Sequence, residues 1–207
     1  MKRTNSPQRG KASKGACSWP REDPLMRRYH DREWGVPVTA ERKIFEFLVL
    51  ESAQAGLSWR TILYRRGGYR RAFASFNYKR VARFGRRDAA RLLKDARIIR
   101  NRLKIEATIN NAKRFLEVRK EFGTFAKYMW GFVGGHLRDG KRRREKDVPA
   151  TSRESDAFAA DLKRRGFKFL GSTVVYAHMQ AVGMVNDHIK TCPRYKELKK
   201  RGTRVKI

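Results

Sequence analysis

The sequence has few cysteines and few acidic residues, and it lacks a long apolar run. With only two cysteines in 207 residues, any disulfide would be a single bridge between the two ends of the chain. No apolar run approaches the roughly 20 residues needed to cross a membrane. The basic N-terminus, residues 1–16, lacks the apolar core of a secretory signal. We therefore expect a cytoplasmic protein with reduced cysteines.

The shortage of acids leaves a large positive charge. The chain has 51 Lys and Arg against 20 Asp and Glu, a formal net charge of +31. Such an excess destabilises a compact state by self-repulsion unless a polyanion is close. Nucleic acid is the partner that this charge favours, and an anionic membrane surface is the alternative. A hydrophobic content of 40% is enough for one core or two small lobes.

Apolar residues recur at helical spacing, and no alternating strand pattern extends beyond a few residues, so we predict an all-α fold. Residues 17–195 are expected to form one helical domain between basic tails, 1–16 and 196–207, of which the first is predicted to be disordered. The charge run RDGKRRREK, residues 138–146, is predicted to be an exposed loop. The first predicted helix is the central one, capped by Thr39, and the next covers residues 61–76 with a break at Gly67-Gly68. A helix over 81–97 is followed by a turn at 96–99 and a long helix. Further helices are predicted over residues 125–133, 155–165, 173–182 and 185–192.

The central helix contains an unusual acid. In the stretch ERKIFEFLVLESAQAGLSW, residues 41–59, Glu51 shares a face with Ile44, Phe47 and Leu48. A carboxylate in such surroundings costs several kcal/mol unless it is paired, hydrogen-bonded or protonated. Glu51 either neutralises a buried Arg or caps a neighbouring helix, or it faces a pocket and binds a ligand.

Four residues have the chemistry of a metal site. His188 and Cys192 would share one face of a helix, and Cys17 and His30 are the other candidates. Two thiolates and two imidazoles suit Zn²⁺. The alternatives are two ordinary buried cysteines or the terminal disulfide, against which the compartment argues.

Two further patterns allow both a functional and a structural interpretation. Residues 88–116 predict two helices joined by a tight turn, which would offer backbone N–H groups to a phosphate or would simply be an αα-hairpin. Arg97 stands in that turn where a glycine would be convenient. The aromatic side chains of Tyr29, Trp34 and Trp59 could stack on a base beside Glu51, or they could be core residues.

Four stretches closely resemble the bacterial 3-methyladenine DNA glycosylase I family. They are CSWPREDPLMRRYHDREWGVP, FEFLVLESAQAGLSW, IIRNRLKIEATINNAKRFL and KRRGFKFLGSTVVYAHMQAVGMVNDHIKTC, which together extend from Cys17 to Cys192. The resemblance implies a helix-hairpin-helix glycosylase fold in which one structural Zn²⁺ joins the N- and C-terminal segments. The implied zinc ligands are Cys17, His30, His188 and Cys192.

The resemblance also implies the site. The family's base pocket corresponds to Tyr29, Trp34, Glu51 and Trp59, with Trp19 nearby, and Glu51 is the implied catalytic residue. Gln54, Gly56 and Leu57 match the loop that enters the DNA at the lesion, and Arg97, Ile98 and Ile99 match the hairpin. Two positions depart from the pattern: Met26 replaces an aromatic residue, and Arg97 replaces the hairpin glycine.

The activity implied is hydrolytic removal of 3-methyladenine from alkylated double-stranded DNA, which leaves an abasic site and belongs to base excision repair. The resemblance implies a monomer that associates with the bacterial nucleoid through DNA. One alternative is a non-catalytic, basic helix-hairpin-helix DNA-binding protein, which would not need Glu51 and the aromatic residues. Another is a glycosylase that also accepts 3-methylguanine.

Overall fold

The computed structural model describes residues 15–20, 22–200 and 204–206, and these residues are mainly helical. Its β-structure consists of a two-residue parallel pair, β1 (Arg138–Asp139) with β2 (Val185–Asn186), and an isolated bridge between His136 and Arg204. Short 3₁₀ turns occur at Ala74–Phe76 and Glu145–Asp147. The helices are α1 (Pro24–Arg32), α2 (Glu41–Gln54), α3 (Trp59–Ala72), α4 (Tyr78–Val81), α5 (Arg86–Lys94), α6 (Arg102–Phe122), α7 (Phe125–Gly131), α8 (Arg153–Arg164), α9 (Ser172–Ala181) and α10 (Pro193–Lys200). The expectation of a mainly helical protein is confirmed.

Helix α2 is the centre of the core because it is apolar around most of its circumference. Every residue from Ile44 to Ala53 is buried, including Glu46 and Glu51. Helices α3, α6, α7 and α9 pack around it. The predicted cap at Thr39 is wrong by one residue: Ala40 is the N-cap and makes no side-chain cap hydrogen bond. Packing on all sides therefore stabilises α2 without a side-chain cap.

The predicted break at Gly67-Gly68 is also wrong, since α3 continues through both glycines to Ala72. Gly68 is there because of a close packing contact. A Cβ atom at Gly68 would lie 2.8 Å from the Cβ of Arg97, and closer still to the Arg97 carbonyl oxygen. The missing side chain lets the turn between α5 and α6 lie directly against α3.

The turn predicted at residues 96–99 is confirmed, because α5 ends at Lys94 and α6 begins at Arg102. Asp88 acts as a cap, although from inside the helix. Its carboxylate accepts a hydrogen bond of 3.1 Å from the backbone N–H of Gly85, the N-cap residue of α5.

The predicted helix over residues 185–192 does not form. Val185 and Asn186 are extended and pair with β1, and the Asp187 carboxylate accepts hydrogen bonds from Arg142, Tyr176 and Gln180, which hold the segment. Pro193 begins α10 instead of ending a helix, which suits its fixed φ and missing N–H. Leu198 is 1% exposed, so the folded chain continues beyond residue 195.

The charge run at residues 138–146 is only partly an exposed loop. It contains β1, and the guanidinium of Arg142 lies 2.8 Å from the buried carboxylate of Asp187. Its other basic side chains, those of Arg138, Lys141, Arg143, Arg144 and Lys146, are exposed. None of the described helices is both long and apolar enough to cross a membrane. The predicted tail at 1–16 lies outside the described residues except for its last two positions.

The two adjacent glycines of α3 provide a matched pair of variants. Gly68→Ala should lower the free energy of unfolding by roughly 1–3 kcal/mol, because the new methyl group overpacks against the backbone at Arg97. Gly67→Ala should instead raise it by roughly 0.5–1 kcal/mol, since its Cβ would meet only an Arg71 side-chain nitrogen, 3.9 Å away. Urea unfolding of both variants measures the difference. Equal effects at the two positions would contradict the packing explanation for Gly68.

Candidate functional site

A cavity of about 300 Å³ lies beside the C-terminal half of α2. Seven of the predicted site residues form part of its wall: Cys17, Trp19, Tyr29, Trp34, Glu51, Gln54 and Trp59. They come from four separate parts of the chain: the segment before α1, α1 with the residues after it, α2, and the start of α3. The structure therefore brings together the aromatic residues and the acid that the sequence had singled out.

The aromatic side chains form a continuous part of this wall. The rings of Tyr29 and Trp59 are 5.1 Å apart between centroids, and those of Trp19 and Trp34 are 5.2 Å apart. The indole nitrogens of Trp19 and Trp59 are buried and have no hydrogen-bond partner among the described residues. Because buried indole N–H groups usually find an acceptor, this wall suits a flat molecule that carries polar edges.

Glu51 enters this cavity without a compensating charge. It is 4% exposed, and no described residue gives it a hydrogen bond or an ion pair. Burial alone raises the pKa of its carboxyl group to about 8. The alternative in which Glu51 neutralises a buried Arg or caps a helix is therefore wrong for the described residues.

Glu46, five residues earlier on α2, shows what a structural buried acid looks like. It is equally buried, at 4% exposed, but its carboxylate lies 2.8 Å from Arg66, 3.1 Å from Arg70 and 3.4 Å from Lys43. Burial would raise the pKa of Glu46, but the hydrogen bond from Arg66 and the nearby cations outweigh it and hold the pKa below its usual value. The same helix thus contains one paired and one unpaired acid.

Five wall residues were not singled out by the sequence. They are Glu145, Val148, Ala177, Gln180 and Asp187. Asp187 adjoins His188 in the GMVNDH motif, which was a usable signal. Glu145 belongs to a charge run that looked like a solvated loop, and its carboxylate accepts hydrogen bonds from the backbone and the hydroxyl group of Ser18.

The cavity wall contains acidic side chains and no Lys or Arg, although the protein as a whole is strongly basic. Three carboxylates line the cavity, those of Glu51, Glu145 and Asp187, and no Lys or Arg does. Asp187 is neutralised from behind by Arg142, and Glu145 is hydrogen-bonded to Ser18. In a chain with a net charge of +31, this cavity favours a ligand with positive charge.

Next to the cavity, Cys17, His30, His188 and Cys192 form a buried cluster that can hold a metal ion. Their ligand atoms all lie within 4.8 Å of one another, and both cysteines are free thiols. The Cys192 sulfur is 3.7 Å from His30 Nε2 and 3.6 Å from His188 Nδ1, and the two nitrogens are 3.1 Å apart. His188 and Cys192 meet here although they do not lie on one helix, because a turn brings the Cys192 N–H to within 2.8 Å of the Ile189 carbonyl oxygen.

The other ring nitrogen of each histidine is already engaged. His30 Nδ1 lies 2.7 Å from a carboxylate oxygen of Asp31, and His188 Nε2 lies 3.1 Å from the carbonyl oxygen of Trp34. These contacts fix the tautomers so that His30 Nε2 and His188 Nδ1 present lone pairs to the cluster. Hydrogen bonding between the two sulfurs lowers the pKa of Cys192 and raises that of Cys17. The cluster therefore favours a thiolate ligand.

The loop after α2 presents an apolar side chain at the edge of the cavity. Gly56 has a φ of +76°, which side-chain-bearing residues rarely adopt, and Leu57 is 40% exposed. Gln54 before the loop and Trp59 after it are both wall residues. Gln54 therefore lies in the cavity wall, and Gly56 and Leu57 lie between the two wall residues Gln54 and Trp59 in the chain.

The structure does not bring the hairpin residues into the cavity. The N–H groups of Arg97 and Ile98 donate to the Asp95 side chain and carbonyl oxygen, at 3.0 and 3.3 Å, and that of Ile99 donates to the Tyr69 hydroxyl at 3.2 Å. The Arg97 guanidinium is paired with Asp95 at 2.8 Å. The expectation that these three N–H groups face a phosphate is not met, since each of them has an internal acceptor.

Comparison with known proteins gives consistent similarities. A family model described as methyladenine glycosylase matches residues 19–195. DNA-3-methyladenine glycosylase 1 of Escherichia coli (strain K12) is 44% identical over 179 residues, which are 86% of this chain and 96% of that protein. A crystal structure of a 3-methyladenine DNA glycosylase I has a TM-score of 0.84 at 46% identity and covers 86% of this chain and 98% of its own. A structure of the Staphylococcus aureus 3-methyladenine DNA glycosylase I, which concerns 3-methyladenine recognition, has a TM-score of 0.84 at 36% identity over 86% of this chain and 94% of its own.

The two buried acids of α2 should respond to pH in opposite directions. The raised pKa of Glu51 means that the folded state holds a proton there more tightly than the unfolded state, so its contribution to stability falls as the pH rises from about 4.5 to about 8. Glu51→Gln should therefore be more stable than wild type at pH 8, and this difference should vanish towards pH 4.5. Glu46, whose pKa is lowered, stabilises the fold above its usual pKa. Glu46→Gln should thus be less stable than wild type at neutral pH. Urea unfolding at several pH values measures both, and a destabilised Glu51→Gln at pH 8 would contradict the unpaired burial of Glu51.

Proposed function

Because the chain belongs to the methyladenine glycosylase family, we propose that it removes 3-methyladenine from duplex DNA by hydrolysing the N-glycosidic bond. The observation that carries this proposal is the cavity wall of aromatic rings and carboxylates, free of Lys and Arg, in a chain with a net charge of +31. A phosphate or a neutral base gains little from such a wall, whereas a flat cation gains from every part of it.

The lesion has the matching chemistry. A methyl group on N3 of adenine gives the base a positive charge while it is attached to the sugar, and the base leaves as a neutral molecule. A cationic ring is attracted to the faces of Tyr29 and Trp59. Glu51 accepts hydrogen bonds from the adenine edge, and the adjacent cation favours the ionised carboxylate. Normal adenine is neutral, so it lacks the attraction between a cationic ring and the ionised Glu51 carboxylate.

Because the cationic base is already a good leaving group, the reaction depends more on bringing the base into the cavity and water to C1′ than on activating the base. The damaged base leaves the stack, which is cheaper for a weakly paired base, and enters the cavity. Leu57 fills the space left in the duplex, and Gly56 gives the loop the backbone conformation that this requires. Water then bonds to C1′ as the bond from C1′ to the base breaks. The electron pair of the broken bond goes to the base, which leaves neutral, and the added water releases one proton to solvent. Glu51 binds the base and places negative charge beside the cation that develops on the sugar.

The helix-hairpin-helix character of the fold is part of the proposal. It is supported by α5 and α6, which pack together on either side of the turn at residues 95–101. Since the N–H groups of Arg97, Ile98 and Ile99 are used internally, the phosphate contacts come from exposed basic side chains around the turn. Arg97, Arg100 and Arg102 are the exposed arginines there. The cavity is formed by a single chain, which supports a monomer as the active form.

We further propose that the cluster of Cys17, His30, His188 and Cys192 holds one structural Zn²⁺ per chain. In a tetrahedral zinc site, sulfur–nitrogen separations are about 3.5 Å and nitrogen–nitrogen separations about 3.3 Å, given the usual bond lengths. The observed separations of 3.6–3.8 Å and 3.1 Å fit that geometry. Bound zinc would join the segment before α1 to the segment before α10. With four protein ligands, it would have no open position for water.

The function is tested by incubating methylated duplex DNA with the protein and identifying the freed bases by chromatography. Wild type should release 3-methyladenine, and Glu51→Gln should release it roughly 100-fold more slowly because the charged acceptor is lost. Glu117→Gln, an exposed acid on α6, is the control and should match wild type. If the wild-type protein binds DNA but releases no base, the alternative of a non-catalytic DNA-binding protein is favoured. Equal release of 3-methylguanine would widen the substrate range.

The zinc proposal has its own measurement. Purified protein should contain about one zinc per chain by elemental analysis. His188→Ala should lose the metal and several kcal/mol of stability, because metal binding is coupled to folding. His136→Ala, at an exposed histidine outside the cluster, should keep both. A metal-free wild type with unchanged thermal stability would contradict a structural zinc.

A further inference from the structure

The loop that carries Leu57 has few internal contacts. Residues 56–58 are exposed, and a Cβ atom on Gly56 would have no neighbour within 4 Å. Within the α2–α3 segment, the Leu57 N–H donates to the Gln54 carbonyl oxygen at 2.6 Å, and the Ser58 and Thr61 hydroxyl groups are 2.8 Å apart. These bonds are local to the loop, so they do not fix its position relative to the rest of the protein.

Lys104 supplies the missing connection. Its Nζ donates to the carbonyl oxygen of Ala53 at 2.9 Å and to that of Ala55 at 2.6 Å. Among the described residues, it is the only side chain from outside α2 and α3 that hydrogen-bonds to residues 53–58. It therefore caps the end of α2 and fixes the start of the loop at the same time.

A lysine suits this position for a physical reason. The last carbonyl groups of a helix have no partner within the helix and carry partial negative charge. Helix α2 ends at Gln54, and Gly56 after the C-cap residue Ala55 is left-handed, but the Leu57 N–H donates to the Gln54 carbonyl oxygen and leaves those of Ala53 and Ala55 for another donor. One ammonium group with three donors can satisfy two of them at once.

The origin of Lys104 gives the contact a second consequence. Lys104 lies in the first turn of α6, directly after the turn at residues 95–101, and the N-cap side chain of Asn101 accepts a hydrogen bond from its backbone N–H at 3.1 Å. The turn at residues 95–101 itself lies against α3 at Gly68. One side chain thus joins the hairpin to the loop that bears Leu57.

We propose that Lys104 is a positioning residue for base excision, which holds the Leu57 loop in fixed register with the hairpin at residues 95–101. When the protein docks on DNA through the basic side chains of the hairpin, Leu57 is then already aimed at the base stack. This inference rests on the proposed glycosylase function. It assigns to Lys104 no contact with the substrate base.

The test compares excision from duplex DNA with binding of the free base. Lys104→Met keeps the apolar stem of the side chain but removes the donors. We expect its excision rate from methylated duplex to fall by roughly tenfold to 100-fold, the range expected for a misplaced element remote from the chemistry. Binding of free 3-methyladenine, followed by quenching of tryptophan fluorescence, should change far less than excision, because none of residues 55–58 lines the cavity. Lys104→Arg, which keeps charge and donors, should recover most of the excision rate.

Lys113→Met is the matched control, since Lys113 is an exposed lysine on the same helix with no described partner. It should excise at the wild-type rate. If Lys104→Met does not fold, Lys104→Leu, which also removes the donors, replaces it, with the same expected fall.

Two outcomes would overturn the inference while leaving the proposed function intact. One is wild-type excision by Lys104→Met. The other is an equal loss of excision and of free-base binding, which would mean that Lys104 merely stabilises the fold. If wild type itself releases no base, the proposed function fails, and the role of Lys104 fails with it.

Discussion

The burial of Glu51 without a partner is the constraint on which the site depends. An ionisable group at the end of a fully buried helix raises the free energy of the fold unless something in the cavity compensates it. Residues from α1, α2, α3 and α9, together with residues of the loops between helices, surround the resulting cavity, and none of them contributes a cation to its wall. The protein thus keeps a cost in stability that a cationic ligand removes.

The distribution of charge separates two tasks. The exposed arginines and lysines attract the DNA backbone without regard to sequence. In the proposed mechanism, the acidic cavity wall acts only on a base that has left the stack, and it discriminates by charge and shape. Arg142 shows how the two are kept apart, because it neutralises Asp187 from behind the wall instead of lining the cavity.

The site was more predictable from the sequence than some of the elements that support it. Glu51 was visible because an acid within an apolar helical face is unusual, and the four Cys and His residues were visible because so few residues of this kind occur. The helix predicted at 185–192 was wrong because its extended form depends on β1 and on Arg142, which lie more than 40 residues earlier. Gly67-Gly68 was misread as a break because local sequence does not show that Arg97 packs there. Gly68 and Arg97 are unusual for the same reason. Because Gly68 has no side chain, the turn that packs against it can carry a residue with a side chain, Arg97.

The metal cluster has a consequence for the order in which the site can be completed during synthesis. Helix α2 and its acid leave the ribosome early, whereas Ala177, Gln180 and Asp187 of the wall, and His188 and Cys192 of the cluster that can hold a metal ion, are among the last parts of the folded chain to be made. The nascent chain therefore has a basic surface that can bind nucleic acid long before it has a finished pocket. Base recognition begins only when the two ends of the chain meet.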